Sequence, residues 1–216
     1  MYLQADAKSI PLATKSVDLI IADPPFGINF TGKPSNYNRK SSLVDDYIEV
    51  TKGYEKFVTS TMLELYRVLK DTGTLWIIMG YSNLRYWEYF GSLLFNEQIG
   101  HVIWKYQFGV YAKKRPVVSH YHLLVYAKGD TWTWNQQGYD EDVWVINRPY
   151  RRGEKKYPNR LPDQVVEQII IRSSNEAQII YDPFVGSGTT VKCANKLGRI
   201  GIGSDIKFNN DFWIAP

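Results

Sequence analysis

The chain reads as an α/β protein built on a doubly wound, mostly parallel sheet. Three observations predict this. Short and almost wholly apolar runs such as Val17–Ala22 have the character of strands buried on both faces. They alternate with segments whose apolar residues recur at helical spacing, the pattern of strand–helix–strand units. A glycine-bearing loop, Asp182–Gly188, joins one such strand to one such helix, and Asp205 ends the strand that follows. Sheets of this kind present their ligand groups at the carboxyl ends of the strands.

Taken in order, Val17–Ala22 is the first strand, stopped by Asp23-Pro-Pro-Phe-Gly27. Residues 29–46 are rich in Asn, Ser, Gly, Lys and Tyr and read as a loop. Phe57, Val58, Met62, Leu65, Val68 and Leu69 predict a helix over about 54–69. Asp71-Thr-Gly73 is expected to punctuate it before a strand at Leu75–Met79. A helix follows at 83–95, then extended segments at 101–106 and 121–127. Thr131–Pro158 shows weak periodicity. After Pro162, Val165, Val166, Ile169 and Ile170 form the apolar face of a helix with Asp163 in its first turn. A strand at 177–181, a helix at 189–197 closed by Gly198 and a strand at 199–206 complete the pattern.

The 216 residues suit a single domain, 1–216, with 131–157 as a small insertion. Hydrophobic content of 44% and charged content of 22% describe a globular chain. No apolar run approaches the roughly 20 residues of a membrane helix. The N-terminal residues carry no uninterrupted apolar stretch, so no signal peptide is expected. The single cysteine, Cys193, fits a reducing cytoplasm. His120 and His122 share a strand face, without the further ligands a zinc site would need, so no metal is expected. The net charge is only +4, but bases cluster. Lys113-Lys-Arg115 and Lys33, Arg39 and Lys40 in the loop are candidates for phosphate contact, as are Arg151 and Arg152 within a basic run from Arg148 to Arg160.

Three motifs carry chemistry. Asp23-Pro24-Pro25-Phe26 closes a buried strand. Proline fixes φ and restricts the residue before it, so the tetrapeptide is a stiff corner. The Asp23 carboxylate and the Pro24 carbonyl can both accept from a planar amine, and Phe26 can stack on its ring. In Asp182-Pro-Phe-Val-Gly-Ser-Gly-Thr-Thr190, Gly186 and Gly188 allow close backbone approach, and the helix start offers free N–H groups. Asp205 can accept from both hydroxyls of a ribose.

Together these motifs resemble the amino-methyltransferases of DNA, which modify adenine N6 or cytosine N4. Asp23-Pro-Pro-Phe26 looks like the family's catalytic tetrapeptide, and Phe184-Val-Gly-Ser-Gly188 matches its cofactor loop. Tyr157-Pro-Asn-Arg-Leu-Pro162 resembles the segment before that loop, with Tyr157 where the family has His and Arg160 where it often has Lys. The catalytic tetrapeptide precedes the cofactor loop, an order that resembles the family's beta group.

The resemblance implies a Rossmann-like fold, S-adenosyl-L-methionine as cofactor and double-stranded DNA as partner. It implies cofactor contacts by Asp6, Asp23, Arg160, Asp182, Phe184, Gly186, Ser187, Gly188, Thr189, Asp205 and Ile206. The target base is expected to flip out of the duplex and react by direct in-line displacement. Residues 131–157 are the expected target-recognition segment.

Cytosine-N4 relatives more often carry Ser in place of Asp23, which favours adenine N6 over cytosine N4. Methylation of RNA is disfavoured by motif order. A nicotinamide dehydrogenase is disfavoured because position 191 is Val where a third glycine would stand. An inactive DNA-binding relative is disfavoured by the intact Asp23 and glycine loop. The target site, a homodimeric assembly and a cognate restriction endonuclease stay open.

Overall fold

The computed structural model describes residues 1–28, 52–107, 109, 113–148 and 160–207. The expected loop 29–46 and residues Tyr157–Asn159 lie outside them. The elements are β1 (Tyr2–Gln4), β2 (Val17–Ala22), α1 (Tyr54–Val68), β3 (Leu69–Met79), α2 (Leu84–Leu94), β4 (Glu97–Lys105), β5 (His120–Ala127), β6 (Val143–Val145), α3 (Asp163–Ser173), β7 (Ile179–Asp182), α4 (Thr189–Lys196) and β8 (Ile200–Asp205). The strands form one eight-stranded sheet in the order β1-β8-β7-β2-β3-β5-β4-β6. Among the described strands only β5 runs against the others, pairing antiparallel with β3 and with β4. The doubly wound, mostly parallel sheet expected from the alternation is present.

The central strands are largely apolar because both faces are covered. On one face Val58, Met62 and Leu65 of α1 and Trp87 of α2 meet Ile20, Ile77 and Leu124. On the other, Val165, Val166 and Ile169 of α3 and Ala194 of α4 meet Leu19, Ile21, Trp76 and Val125. Winding from β2 proceeds through α1 to β3 on one side. Winding from β7 proceeds through α4 to β8 on the other. The direction therefore switches between β7 and β2, where open α/β sheets leave a crevice at the strands' carboxyl ends.

Several boundaries differ from expectation. Asp71-Thr-Gly73 does not separate helix from strand: β3 starts at Leu69, directly after α1. The register against β2 breaks there, with Val17 opposite Leu69 but Leu19 opposite Thr74, so the polar residues form an irregularity within the strand. Lys128 holds the turn by donating from Nζ to the Leu69 carbonyl at 2.6 Å and to the Tyr66 carbonyl at 2.7 Å. Strand β7 begins at Ile179, because Ala177 takes a positive φ of 63°. The edge strands β1 and β6 are three residues each and left no periodicity to read.

Residues 131–148 lie against α3 and supply β6, which pairs parallel with β4. Trp134 stacks on Trp76 at 6.2 Å, Asn135 donates to the Ile171 and Ser174 carbonyls, and Arg172 pairs with Asp140 at 2.8 Å. Among the described residues no helix is long and apolar enough to cross a membrane.

Candidate active site

Four neighbouring strands lead into aspartates on the same edge of the sheet. Asp182 and Asp205 are the last residues of β7 and β8, Asp23 follows β2 directly, and Asp6 lies two residues beyond β1. Register brings Gln4 opposite Asp205, and the Ala5 N–H donates to the Asp205 carbonyl at 3.0 Å. Burial pushes the Asp23 carboxyl up to about 7, the Asp182 charge adds to the rise, and Arg148 opposes it. Burial pushes Asp182 up to about 7 as well; the neighbouring Thr190 hydroxyl and the hydrogen bond from the Phe184 N–H oppose that rise, and Asp205 adds to it. Asp6 is engaged locally, accepting from the Lys8 N–H at 2.9 Å and pairing with the Lys8 ammonium at 3.2 Å.

The corner after β2 is clamped from α1 and from the turn before α2. The Tyr54 hydroxyl donates to the Pro25 carbonyl at 2.8 Å. The Asn83 amide donates to the Phe26 carbonyl at 2.8 Å and to the Gly27 carbonyl at 3.2 Å. Gly27 has a positive φ of 66°, and a β-carbon there would lie 2.5 Å from the Tyr54 ring, so the clamp requires glycine. The Phe26 ring meets Tyr121 edge-on at 5.3 Å. Both prolines and Phe26 are thus set in one geometry beside the Asp23 carboxyl.

The glycine loop is built from β7 and β8. Asp182 Oδ1 accepts from the Phe184 N–H at 2.9 Å, and the Val185 N–H donates to the Ser204 carbonyl at 3.0 Å. The Gly186 N–H donates to Asp205 Oδ2 at 3.2 Å, and the Lys207 N–H to Asp205 Oδ1 at 3.3 Å. One bond to each oxygen leaves acceptor capacity on both. A β-carbon on Gly186 would meet nothing nearer than the Phe184 carbonyl at 3.8 Å, so the loop's outer side is open there. Ser187 and Thr189 hydroxyls lie 3.2 Å apart, Gly188 caps α4, and Ile206 stands 46% exposed beyond Asp205. An anchored carboxylate with free lone pairs, an open glycine and an adjacent apolar side chain fit the ribose and ring of a nucleoside cofactor. Arg160 is turned to the start of α3, where it pairs with Asp163 at 3.1 Å.

Of the candidate phosphate contacts, Lys113, Lys114 and Arg115 are exposed on the connection between β4 and β5. Lys33, Arg39, Lys40, Arg151 and Arg152 lie outside the described residues. Sequence reasoning passed over Tyr54, Asn83 and Arg148. The first two sit in ordinary helical contexts with no local signal. Arg148 looked like one more base in a charged run.

Fold and site define a class: doubly wound α/β proteins with a glycine-bearing loop and an Asp-Pro-Pro-Phe corner on either side of the switch point. A family model described as DNA methylase matches residues 17–209, and the chain belongs to that family. It is 30% identical over 220 residues to the type II methyltransferase M.HpaI of Haemophilus parainfluenzae, covering 90% of this chain and 66% of that protein. It is 28% identical over 237 residues to the type II methyltransferase M.HinfI of Haemophilus influenzae, covering 93% and 62%. The chain thus spans somewhat less than two thirds of the length of these relatives. The crystal structure of an M1.HpyAVI–SAM complex shares the fold, with a TM-score of 0.72 and 20% identity over 98% of this chain and 94% of that one.

Proposed function

We propose that the chain transfers a methyl group from S-adenosyl-L-methionine to an exocyclic amine of a base in DNA, with adenine N6 as the target. The observation that carries this reading is the pair of sites at neighbouring strand ends on either side of the switch point: the clamped Asp23-Pro-Pro-Phe26 corner and the Gly186–Asp205 loop. Membership of the DNA methylase family and the names of the two relatives support it.

The cofactor, when bound, supplies an electrophilic sulfonium methyl. Asp205, Gly186, Phe184 and Ile206 would hold its nucleoside part, with Asp6, Asp182, Ser187, Gly188 and Thr189 completing the loop. On the other side, the Asp23 carboxylate and the Pro24 carbonyl accept the two N–H bonds of the target amine. That arrangement turns the nitrogen lone pair out of the ring system. Phe26 holds the ring face. The rate gain comes chiefly from orientation, since the amine loses its proton readily once methylated. Reaching the amine requires the base to leave the duplex. Lys113, Lys114 and Arg115, all exposed, are the candidates for contact with backbone phosphates, which fix position without reading sequence. Residues 131–157 are the candidate for target recognition. Asp23 favours adenine over cytosine N4.

Duplex DNA and RNA of matched sequence, incubated side by side with methyl-labelled cofactor, test the reading. Label in the DNA alone, lost in Asp23→Ala with DNA binding retained, is expected. Label in the RNA, or undiminished turnover by Asp23→Ala, would refute it.

A further inference from the structure

Arg148 lies three residues beyond β6, and its main chain is fixed from both sides by one glutamine. The Gln107 amide nitrogen donates to the Arg148 carbonyl at 2.9 Å, and the Arg148 N–H donates to the Gln107 amide oxygen at 2.8 Å. The side chain enters a cage of three aromatic rings. The guanidinium carbon lies 4.6 Å from the centre of Tyr106, 4.9 Å from Tyr121 and 5.2 Å from Trp104. Cation–π contact stabilises the charge and fixes the plane of the group. Tyr121 in turn touches Phe26 of the catalytic corner at 5.3 Å. The Nε–H is buried and has no hydrogen-bond partner among the described residues. A buried donor left unpaired is costly and calls for an explanation, of which a ligand is one.

The immediate surroundings say which ligand. The Tyr121 ring touches both the guanidinium, at 4.9 Å, and Phe26, at 5.3 Å, which brings Arg148 beside the corner that begins at Asp23, and its charge opposes the rise of the Asp23 carboxyl. An acceptor, Asp23, and a donor, Arg148, are thus brought to one neighbourhood. Adenine presents a matching edge: its amine donates and the adjoining ring nitrogen, N1, accepts. Cytosine presents the same pattern with N3. Guanine and thymine present a carbonyl and a ring N–H there, which would set acceptor against acceptor and donor against donor. A phosphate is a poorer match, because a nucleic acid backbone stays solvated while this nitrogen is buried among rings.

We propose that Arg148 is a specificity-determining contact of the reaction, its Nε–H donating to the ring nitrogen beside the amine that Asp23 holds. The inference rests on the amine-methylation reading above. It assigns the rejection of guanine and thymine to the Asp23–Arg148 pair. The charge on Arg148 also favours the ionised, accepting form of Asp23, so the two groups support each other.

The test is a cycle between protein and base. Wild type and Arg148→Met are compared on duplexes carrying the chain's own site, mapped beforehand by sequencing methylated plasmid DNA. The target base is adenine, 1-deazaadenine, which replaces the accepting nitrogen with C–H, or 7-deazaadenine as a control on the opposite edge. If the mapped target is cytosine, 3-deazacytosine takes the place of 1-deazaadenine. Loss of one buried charged hydrogen bond is worth about a tenfold to hundredfold fall in kcat/KM. Wild type should lose that much on the 1-deaza base, and Arg148→Met should lose it on adenine yet show no further loss on the 1-deaza base. The 7-deaza base should leave both proteins unchanged relative to adenine. Equal 1-deaza penalties in wild type and variant would overturn the contact, and an Arg148→Met defect confined to KM and abolished at low salt would assign the residue to phosphate. Comparing two substrates on one variant keeps the result independent of its folding. A wild type that methylates neither base amine refutes the functional reading itself, which is visible before any variant is made.

Discussion

The Tyr54 hydroxyl donates to the Pro25 carbonyl at 2.8 Å while accepting from the Trp87 indole N–H at 3.1 Å. A buried three-membered chain thus ties two helices, α1 and α2, to the peptide that carries the acceptor groups. Trp87 is fully buried, so its indole N–H cannot exchange its partner for water.

Removing the central hydroxyl should loosen the corner without emptying it. Tyr54→Phe leaves the ring against Gly27 but strands the Trp87 N–H and the Pro25 carbonyl. A stability loss of about 1–3 kcal/mol is expected from two buried groups left unpaired. Turnover should fall about tenfold with cofactor affinity unchanged, because orientation of the amine suffers and the glycine loop does not. Denaturant unfolding, calorimetry with cofactor and single-turnover kinetics separate the three quantities. A weakened cofactor affinity with normal turnover would remove Tyr54 from this role.

Activity should switch on with rising pH. In the proposed reaction Asp23 is the stronger, charged acceptor for the amine when ionised, and its carboxyl is held at about 7 by burial and by Asp182. The kcat profile should therefore rise through about pH 7. Asp182→Asn removes a like charge, which lowers the Asp23 pKa, so the midpoint should move to lower pH. A profile measured from pH 5.5 to 9 decides; an unmoved midpoint would mean that the two carboxyls do not act on each other.

The same carboxyls should cost stability at high pH. A group whose folded pKa is raised favours its protonated form in the native state. Its contribution is full below the ordinary carboxyl range near 3.8, and is lost as pH rises through about 7. Asp23→Asn should consequently be more stable than wild type at pH 8, by the order of 1–4 kcal/mol, with the difference shrinking towards pH 4. Thermal unfolding at both values checks the sign. A destabilised variant at pH 8 would show that the charged form is held by groups other than Arg148.

Gly186 tests the cofactor loop. Its φ of 43° is strained for other residues, yet a β-carbon there has the Phe184 carbonyl, 3.8 Å away, as its nearest neighbour among the described residues. Gly186→Leu should fold with a loss of about 1–2 kcal/mol from backbone strain alone. Its affinity for S-adenosyl-L-methionine should fall at least about tenfold, because the side chain projects where the nucleoside would lie. Unchanged affinity by calorimetry would displace the cofactor from this loop.

Much of this was legible because the relevant signals are local. Val17–Ala22 is apolar at every position but one because both faces of β2 are covered, so its bounds emerged intact. Asp23 and Asp205 stood out as acids ending apolar runs. Where tertiary contacts decide, the reading failed. Asp71-Thr-Gly73 looks like a breaker, yet Lys128, distant in sequence, holds the strand together around it. The antiparallel course of β5 depends on pairing, not composition. Arg148 sits in a basic run that suggests a solvated surface, and only the approach of β4 and β5 supplies the rings that enclose it.

The most direct measurement is nucleoside mass spectrometry of duplex DNA incubated with the protein and S-adenosyl-L-[methyl-labelled]methionine. The predicted result is labelled N6-methyladenine, present with wild type and absent with Asp23→Ala. Labelled N4-methylcytosine would contradict the choice of base, and unlabelled DNA would contradict the proposed transfer itself.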